Sequence, residues 1–444
     1  MNPSGLIGRS PGTAPVVPAL SIFDAQIFAS LRRHRNYRLY FSGQLVSQIG
    51  TWLQNAAQAW LVLGITNSPE AVGVLSFFLY LPYAILGLIG GALADRWDRQ
   101  RMIIITQTLM ALCAAALAVV AYMHVDSIAV IDGIAFVRGT VMAFNNPTRQ
   151  AIMIQLVGRS ELPNAIALNS SLNNATRIIG PAIAGVLISS VGVGLCFALN
   201  AVSFIAVIFA LMIMRRDEFF PTGSNTRTPL IKSIKDGLVY ARRTKTVAVV
   251  LTMLFIISTV SINFQVILPV MAKNTLHGTA QTYGFIWSMF GLGAFIGAVS
   301  AASRKRVSRR LLLWAAAGFG LAQLIVGTQS TVIGVSIALF VTGICYSIYT
   351  SSSNSIVQLA VPMHLQGRIA GLYNYVFLAS GPLGSLLAGW LAERSAPLAF
   401  IAGGVAAVAM AFFGFTQRPW PMPTGTHRPR RRRRNQIASV TQRV

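Results

Sequence analysis

The polar side chains best able to do chemistry in this chain stand at helical intervals inside apolar sequence. Gln44, Gln48, Thr51, Asn55 and Gln58 follow one another at steps of three or four residues. At 100° per residue they fall within an arc of roughly 80° on one helix face. A second series runs Asn169, Asn173, Thr176, Gly180, and a third Tyr346, Thr350, Asn354, Gln358. Such groups can hydrogen-bond a polar ligand, water or one another, and on a spanning helix they are costly against lipid. They therefore line a wet cavity or form an interhelical hydrogen-bond seam, and periodicity serves both readings equally. Three charged residues also lie within apolar blocks: Asp132, Arg138 and Arg177. Asp132 is the proton-carrier candidate, although its place near one end of its block equally suits a snorkelling structural acid. Arg177, just before Gly180-Pro181, can pair with an anionic substrate or brace the helices around it.

The blocks that must position these residues are long. Of 444 residues, 54% are hydrophobic and 11% charged, with a mean hydropathy of +0.61. A soluble protein carries roughly 25% charged residues, so the composition excludes a water-facing globule. Stretches such as 71–94, 103–123 and 396–415 meet the roughly 20 apolar residues needed to cross a bilayer. Blocks and breaks predict spans near 38–64, 70–94, 102–124, 127–155, 164–191 and 193–214, then 246–272, 281–302, 309–329, 331–361, 368–393 and 396–416. The long internal break from Arg215 to Lys245 divides them six and six. The predicted organisation is a tail (1–37), a six-helix bundle (38–214), a linker (215–245), a second six-helix bundle (246–416) and a basic tail (417–444).

Basic residues set the orientation. Arg32, Arg33, Arg35 and Arg38 precede the first span; Arg96, Arg99 and Arg101 lie between the second and third; Arg304 to Arg306 and Arg309-Arg310 follow the eighth. The central break adds eight more, whereas the opposite loops hold only Lys273 and Arg394. The positive-inside rule then puts both termini and the linker in the cytoplasm. This topology accounts for the net charge of +25, and no basic groove with interleaved aromatics suggests nucleic acid. Within the linker, Thr228-Pro229 reads as a helix start, with Leu230, Ile234, Leu238 and Ala241 on one face of an amphipathic surface helix. The run Arg430–Arg434 reads as a tail near anionic lipid. No removable signal peptide is expected.

The halves also repeat. Ile179-Gly180-Pro181-Ala182 is matched by Ser380-Gly381-Pro382-Leu383, and Ala165–Leu168 by Arg368–Gly371. Interrupted helices at corresponding places in two halves point to a transport site, so Gly180, Pro181, Gly381 and Pro382 are expected helix breaks.

Residues 90–101, Gly90-Gly91-Ala92-Leu93-Ala94-Asp95-Arg96-Trp97-Asp98-Arg99-Gln100-Arg101, resemble the signature loop between helices two and three of the major facilitator superfamily. Gly50–Gln54 through Trp60–Leu63, Asn146–Ala151 and Ala175–Pro181 resemble its enterobactin-exporter-like branch, the transmembrane secretion effectors. The resemblance spans residues 32–416. It implies an all-α membrane protein with twelve transmembrane helices in two pseudo-symmetric bundles, alternating access, and proton-driven efflux of a small organic molecule, siderophore or metabolite. It further implies a conformational latch at Gly91, Asp95, Arg96, Arg99 and Arg101. The corresponding second-half loop, Gly293 through Gly297 to Arg304-Lys305-Arg306, keeps the glycines and bases but has no Asp, so a latch there is lopsided.

Enzyme chemistry finds no footing. Histidines 34, 124, 277, 364 and 427 lie in loops or tails, and no nucleophile triad, metal spacing or phosphate loop is present. Cys113, Cys196 and Cys345 lack disulfide or ligand spacing. No cofactor is expected. The substrate-cavity candidates are Gln44, Gln48, Asn55, Gln58, Asn169, Asn173, Arg177 and Asn354. The expected partners are a small molecule, a proton and the bilayer, with the chain a monomer in a bacterial inner membrane. A non-transporting receptor or scaffold, or an uptake transporter of the same fold, is the rival reading. Reporter fusions test the orientation: those at Arg227, Arg306 and Arg430 should all report cytoplasm and one at Asn67 the exterior. One exterior result among the first three overturns it.

Overall fold

The computed structural model describes residues 28–94, 97–221, 238–304 and 307–417. After a short α1 (Ala29–Arg33), the first half comprises α2 (Arg35–Thr66), α3 (Pro69–Ala94), α4 (Arg99–Tyr122), α5 (Ile128–Val191) and α6 (Val193–Met212). The 64-residue α5 is two crossings joined at Gly158, whose φ of 71° is the one non-helical conformation inside it. That left-handed value favours glycine, and the Phe220 ring packs across the turn. The second half comprises α7 (Lys245–Ser261), α8 (Phe264–Val270) with a π-turn at Met271–Thr275, α9 (Ala280–Ala302), α10 (Arg309–Thr328) and α11 (Val332–Leu359). It closes with α12 (Met363–Ala379), α13 (Gly381–Arg394) and α14 (Ala396–Thr416).

Ten helical segments are long and apolar enough to cross a membrane. Counting α5 twice and adding α2 gives twelve crossings among the described residues. α2 is more polar than the other crossings because its face carries the amides that the sequence singled out. The predicted linker helix lies outside the described residues except for residues 238–243, which are helical, with Ala241 buried.

One crossing in the second half is discontinuous. The seventh span is interrupted at Ile262-Asn263, and the freed Ser261 carbonyl accepts from Gln323 Nε2 of α10 at 3.0 Å. Ser261 Oγ in turn donates to the Gly403 carbonyl at 2.7 Å. With no water in the bilayer core, such side chains must complete what the helix leaves open. In the eleventh span a single turn residue, Ser380, separates two helical segments just before Gly381-Pro382, and its own φ and ψ stay helical. The expected break at Gly180-Pro181 does not occur: α5 stays helical there. Pro181 has no N–H for the Arg177 carbonyl, which lies against Gly291 of α9, and Ser288 Oγ donates to the Ile178 carbonyl at 3.0 Å. Packing against α9 thus keeps the helix straight where local chemistry allows a kink.

The halves meet most closely at the end opposite the basic loops, through two equivalent crossings. In one, α3 meets α13: a Cβ on Gly73 would sit 2.7 Å from the Ser385 carbonyl and 3.0 Å from Gly389 Cα. In the other, the second crossing of α5 meets α9: a Cβ on Gly185 would sit 2.7 Å from the Ala280 carbonyl and 3.1 Å from Gly284 Cα. Backbones approach this closely only where neither residue has a side chain. Toward the basic end the same helix pairs separate, and cavities lined by Tyr83, Asn146 and Asn374, and by Gly87, Pro147 and Gly371, open between the halves.

Both crossings must part if the far end is to open. Gly389→Leu forces them apart at an overpacking cost of about 1–3 kcal/mol, or roughly a five- to 150-fold shift toward a far-end-open conformer. Labelling of Ser385→Cys by an impermeant thiol reagent applied at the far end, in a background lacking the three native cysteines, should rise accordingly. An unchanged rate would show that the glycine crossing does not govern closure.

Candidate functional site

A cavity of about 180 Å³ lies between the halves, roofed by the two glycine crossings. Its walls come from α2 (Trp52), α3 (Ser76, Tyr80), α5 (Arg177), the interrupted seventh span (Ile262 to Val266), α9 (Trp287, Phe290), α11 (Tyr346) and the turn at Ser380. Aromatic rings and polar side chains share the lining. Trp52 and Trp287 meet edge to face at 6.1 Å, and the Phe290 and Tyr346 rings lie tilted to one another with centres 5.6 Å apart. Tyr80 Oη donates to Gln265 Oε1 at 3.0 Å across the two halves. Arg177 places its guanidinium carbon 5.6 Å from the Trp52 ring centre, a cation–π contact.

Below, toward the basic end, a polar vestibule is lined by Tyr40, Gln48, Arg149, Asn169, Asn173 and Asn374, among others. The two readings of the first polar stripe divide along the helix. Gln48 lines the vestibule while donating to Asn173 Oδ1 at 2.5 Å, so it serves cavity and seam together. Asn55 and Gln58 instead accept from the buried Arg138, Gln58 at 3.2 Å, and neither lines the central cavity. Gln44 is buried with neither amide atom partnered. Asn354 accepts from Gln358 within α11 at 2.7 Å, again away from the central cavity. Asp132 is 7% exposed and its Oδ1 has no partner. Arg138 and Asp132, on one helix, form no ion pair; the four ion pairs among the described residues all lie at the basic end.

Asp95 and Arg96 lie outside the described residues. Nearby, Asp98 caps α4 by accepting from the Arg101 N–H at 2.9 Å and lies 3.5 Å from the Arg216 guanidinium. Arg99 Nη1 donates to the Ala151 carbonyl at 3.0 Å, tying this loop to α5, and Gly91 lines the cavity mouth.

Sequence reasoning missed a clamp at the far end. The turn Asn67-Ser68-Pro69 joins the end of α2 to the start of α3, and both are held by the second half. Glu393 Oε2 accepts from Ser68 Oγ at 3.0 Å and from the Glu70 N–H at 3.2 Å, a carboxylate at a helix N-terminus. Lys273 Nζ donates to the Leu63 carbonyl at 3.1 Å and to Asn67 Oδ1 at 2.8 Å, an ammonium at a helix C-terminus. Each charge meets the end of the helix dipole that attracts it, worth roughly 0.3–1 kcal/mol apiece at exposed positions. The signal was present, since Glu393 and Lys273 are rare charges in loops otherwise nearly free of them. The aromatic lining carried no such signal, because Trp and Phe on a spanning helix look the same whether they face lipid or a cavity.

Twelve crossings in two equivalent halves around a central cavity closed at one end define a membrane transporter of the major facilitator fold. The nucleoside transporter NupG superposes with a TM-score of 0.70, covering 88% of this chain and 99% of that one at 12% identity. The family described as transmembrane secretion effector matches residues 25–439, and the chain belongs to it. Among similar proteins, the staphyloferrin A transporter of Staphylococcus aureus is 28% identical over 58% of this chain and 65% of its own length. The multidrug efflux pump Tap of Mycolicibacterium fortuitum is 26% identical over 79% of this chain and 88% of its own.

Cysteine substitution checks which stripe residues water reaches. In a background lacking Cys113, Cys196 and Cys345, Gln48→Cys and Asn173→Cys should react with a small hydrophilic thiol reagent applied at the basic end, whereas Gln44→Cys and Gln58→Cys should stay inert. Equal labelling at all four positions would rule out the division between vestibule and seam.

Proposed function

We propose that the protein exports a small organic molecule from the bacterial cytoplasm by alternating access, using the proton gradient. The observation that carries this reading is the pair of glycine crossings, which roof a central cavity, while a polar vestibule that shares Leu378 with it lies toward the basic end. On the positive-inside rule the basic end is cytoplasmic, so this conformer would load from the cytoplasm. The relatives' efflux names support the same direction. In this reading both termini lie inside and the chain works as a monomer. The loop with Gly91, Asp95, Arg96, Arg99 and Arg101 closes the cytoplasmic side after loading, as the family resemblance implies.

Asp132 carries the proton in this scheme. It is a buried carboxylate with an unpartnered oxygen and no ion-pair partner, set away from the basic end on the helix that also carries Arg138. Arg138 is held by the Asn55 and Gln58 oxygens of α2, so a change in charge at Asp132 acts on a helix already linked to the stripe. Substrate binding itself needs no proton in this arrangement, because the cavity lining contains no carboxylate.

Asp132→Asn should keep substrate binding and downhill flux while uphill export is lost, because an amide cannot bind and release the proton. An uncoupler should collapse uphill export by the wild-type protein in the same cells. Undiminished uphill export by Asp132→Asn would remove Asp132 from the coupling scheme.

A further inference from the structure

We infer that the central cavity is built for an organic anion, a carboxylate or similar oxyanion attached to an apolar body, with Arg177 as the group that receives the negative charge. This inference rests on the export reading for its biological setting but not for its geometry.

Two hydrogen-bond donors on the cavity wall have nothing to bond. Arg177 Nε and Trp287 Nε1 are both buried without an acceptor, and Arg177 makes no hydrogen bond or ion pair with any described residue. The guanidinium lies against the Trp52 ring, a π face that gives Nε no acceptor. Buried polar groups are otherwise partnered, and orphans gathered at one cavity mark what its occupant supplies. Here both orphans are donors, so the occupant must bring acceptors.

The charge of the surroundings points the same way. No Asp or Glu lines the central cavity or the vestibule beneath it, whereas the vestibule holds a second guanidinium, Arg149. A guanidinium near the bilayer midplane without a counter-ion is costly, and its usual remedies are a carboxylate partner or an escape to water. At Arg177 no carboxylate partner is present, and the cavity itself is where its charge meets water or an anion. An anion entering from the basic end passes Arg149 and ends at Arg177, gaining a charge-assisted, bidentate contact. A cation on the same path meets two like charges. Of the remaining lining, Trp52, Trp287, Phe290 and Tyr346 offer ring faces and edges to an apolar body, and the serines, Asn263, Gln265 and Tyr80 add polarity but no charge.

Three probes that share one body test this in the purified, full-length protein in detergent: 4-phenylbutyrate, 4-phenylbutyramide and 4-phenylbutylamine. Calorimetric titration should rank the carboxylate first and the amine last. The expected preference for the carboxylate over the amide is roughly ten- to hundred-fold, the range for a hydrogen-bonded charge. Arg177→Gln should abolish that preference by lowering carboxylate affinity far more than amide affinity, and Arg177→Lys should retain part of it. If Arg177→Gln does not fold, the wild-type ranking still decides. Equal affinity for the three, tighter binding of the amine, or no binding of any at millimolar concentration overturns the anion site. Because these titrations need no flux, they stand apart from the export reading, which fails separately if proteoliposomes show no transport of a probe that binds.

Discussion

Everything at the site depends on two places where helices from opposite halves touch backbone to backbone. Gly73 against Gly389 and Gly185 against Gly284 are equivalent contacts in a repeated architecture, and each allows an approach that one methyl group would prevent. Helix association in lipid gains little from the hydrophobic effect, because lipid tails are as apolar as leucine; close packing and small residues take its place. The glycines therefore set how far the far end can close, and hence where the roof of the cavity lies. Glu393 and Lys273 then hold the closed end at a single turn. Their contacts are electrostatic and exposed, so they can be broken without dismantling the helices.

The cavity beneath this roof follows from where backbone is left open. The seventh span is interrupted at its edge, at Ile262-Asn263, and the eleventh passes it at Ser380, just before Gly381-Pro382. The polar atoms released are mostly met from within the second half: Gln323 takes the Ser261 carbonyl, and Ser380 Oγ donates to Ser258 Oγ at 2.8 Å. The first half contributes intact helices and nearly all the charge, with Arg138, Arg149 and Arg177 on one long helix. The two halves share a fold but divide the work: one supplies interrupted backbone and aromatic walls, the other supplies guanidinium groups.

Much of this was legible in the sequence, and the failures have physical causes. Block lengths and loop charges gave the twelve crossings to within a few residues, because bilayer thickness and the cost of buried charge act on composition directly. The amide stripe of α2 was visible as periodicity even though it makes that helix more polar than the other crossings. Periodicity could not say which amides face water, and Gln48 and Gln58 fall on different sides of that question although they are ten residues apart on one stripe. The interruption at Ile262-Asn263 carries neither Gly nor Pro, so no local rule announces it; it depends on Gln323 of a distant helix. At Gly180-Pro181 the reverse holds, since local chemistry permits a break and the packing of α9 prevents one.

Arg177 has a consequence for how the membrane voltage acts on the cycle. An empty cavity carries one uncompensated positive charge, and a cavity holding a monovalent anion carries none. Transmembrane voltage works on charge that moves through the field, at up to about 2.3 kcal/mol per elementary charge per 100 mV. In a cell whose interior is negative, the loaded cavity would turn outward almost indifferent to voltage, while the emptied one would be drawn back toward the cytoplasm. The resting potential would thus act on the return stroke, favouring the conformer described here, with its far end shut and its vestibule open at the basic face.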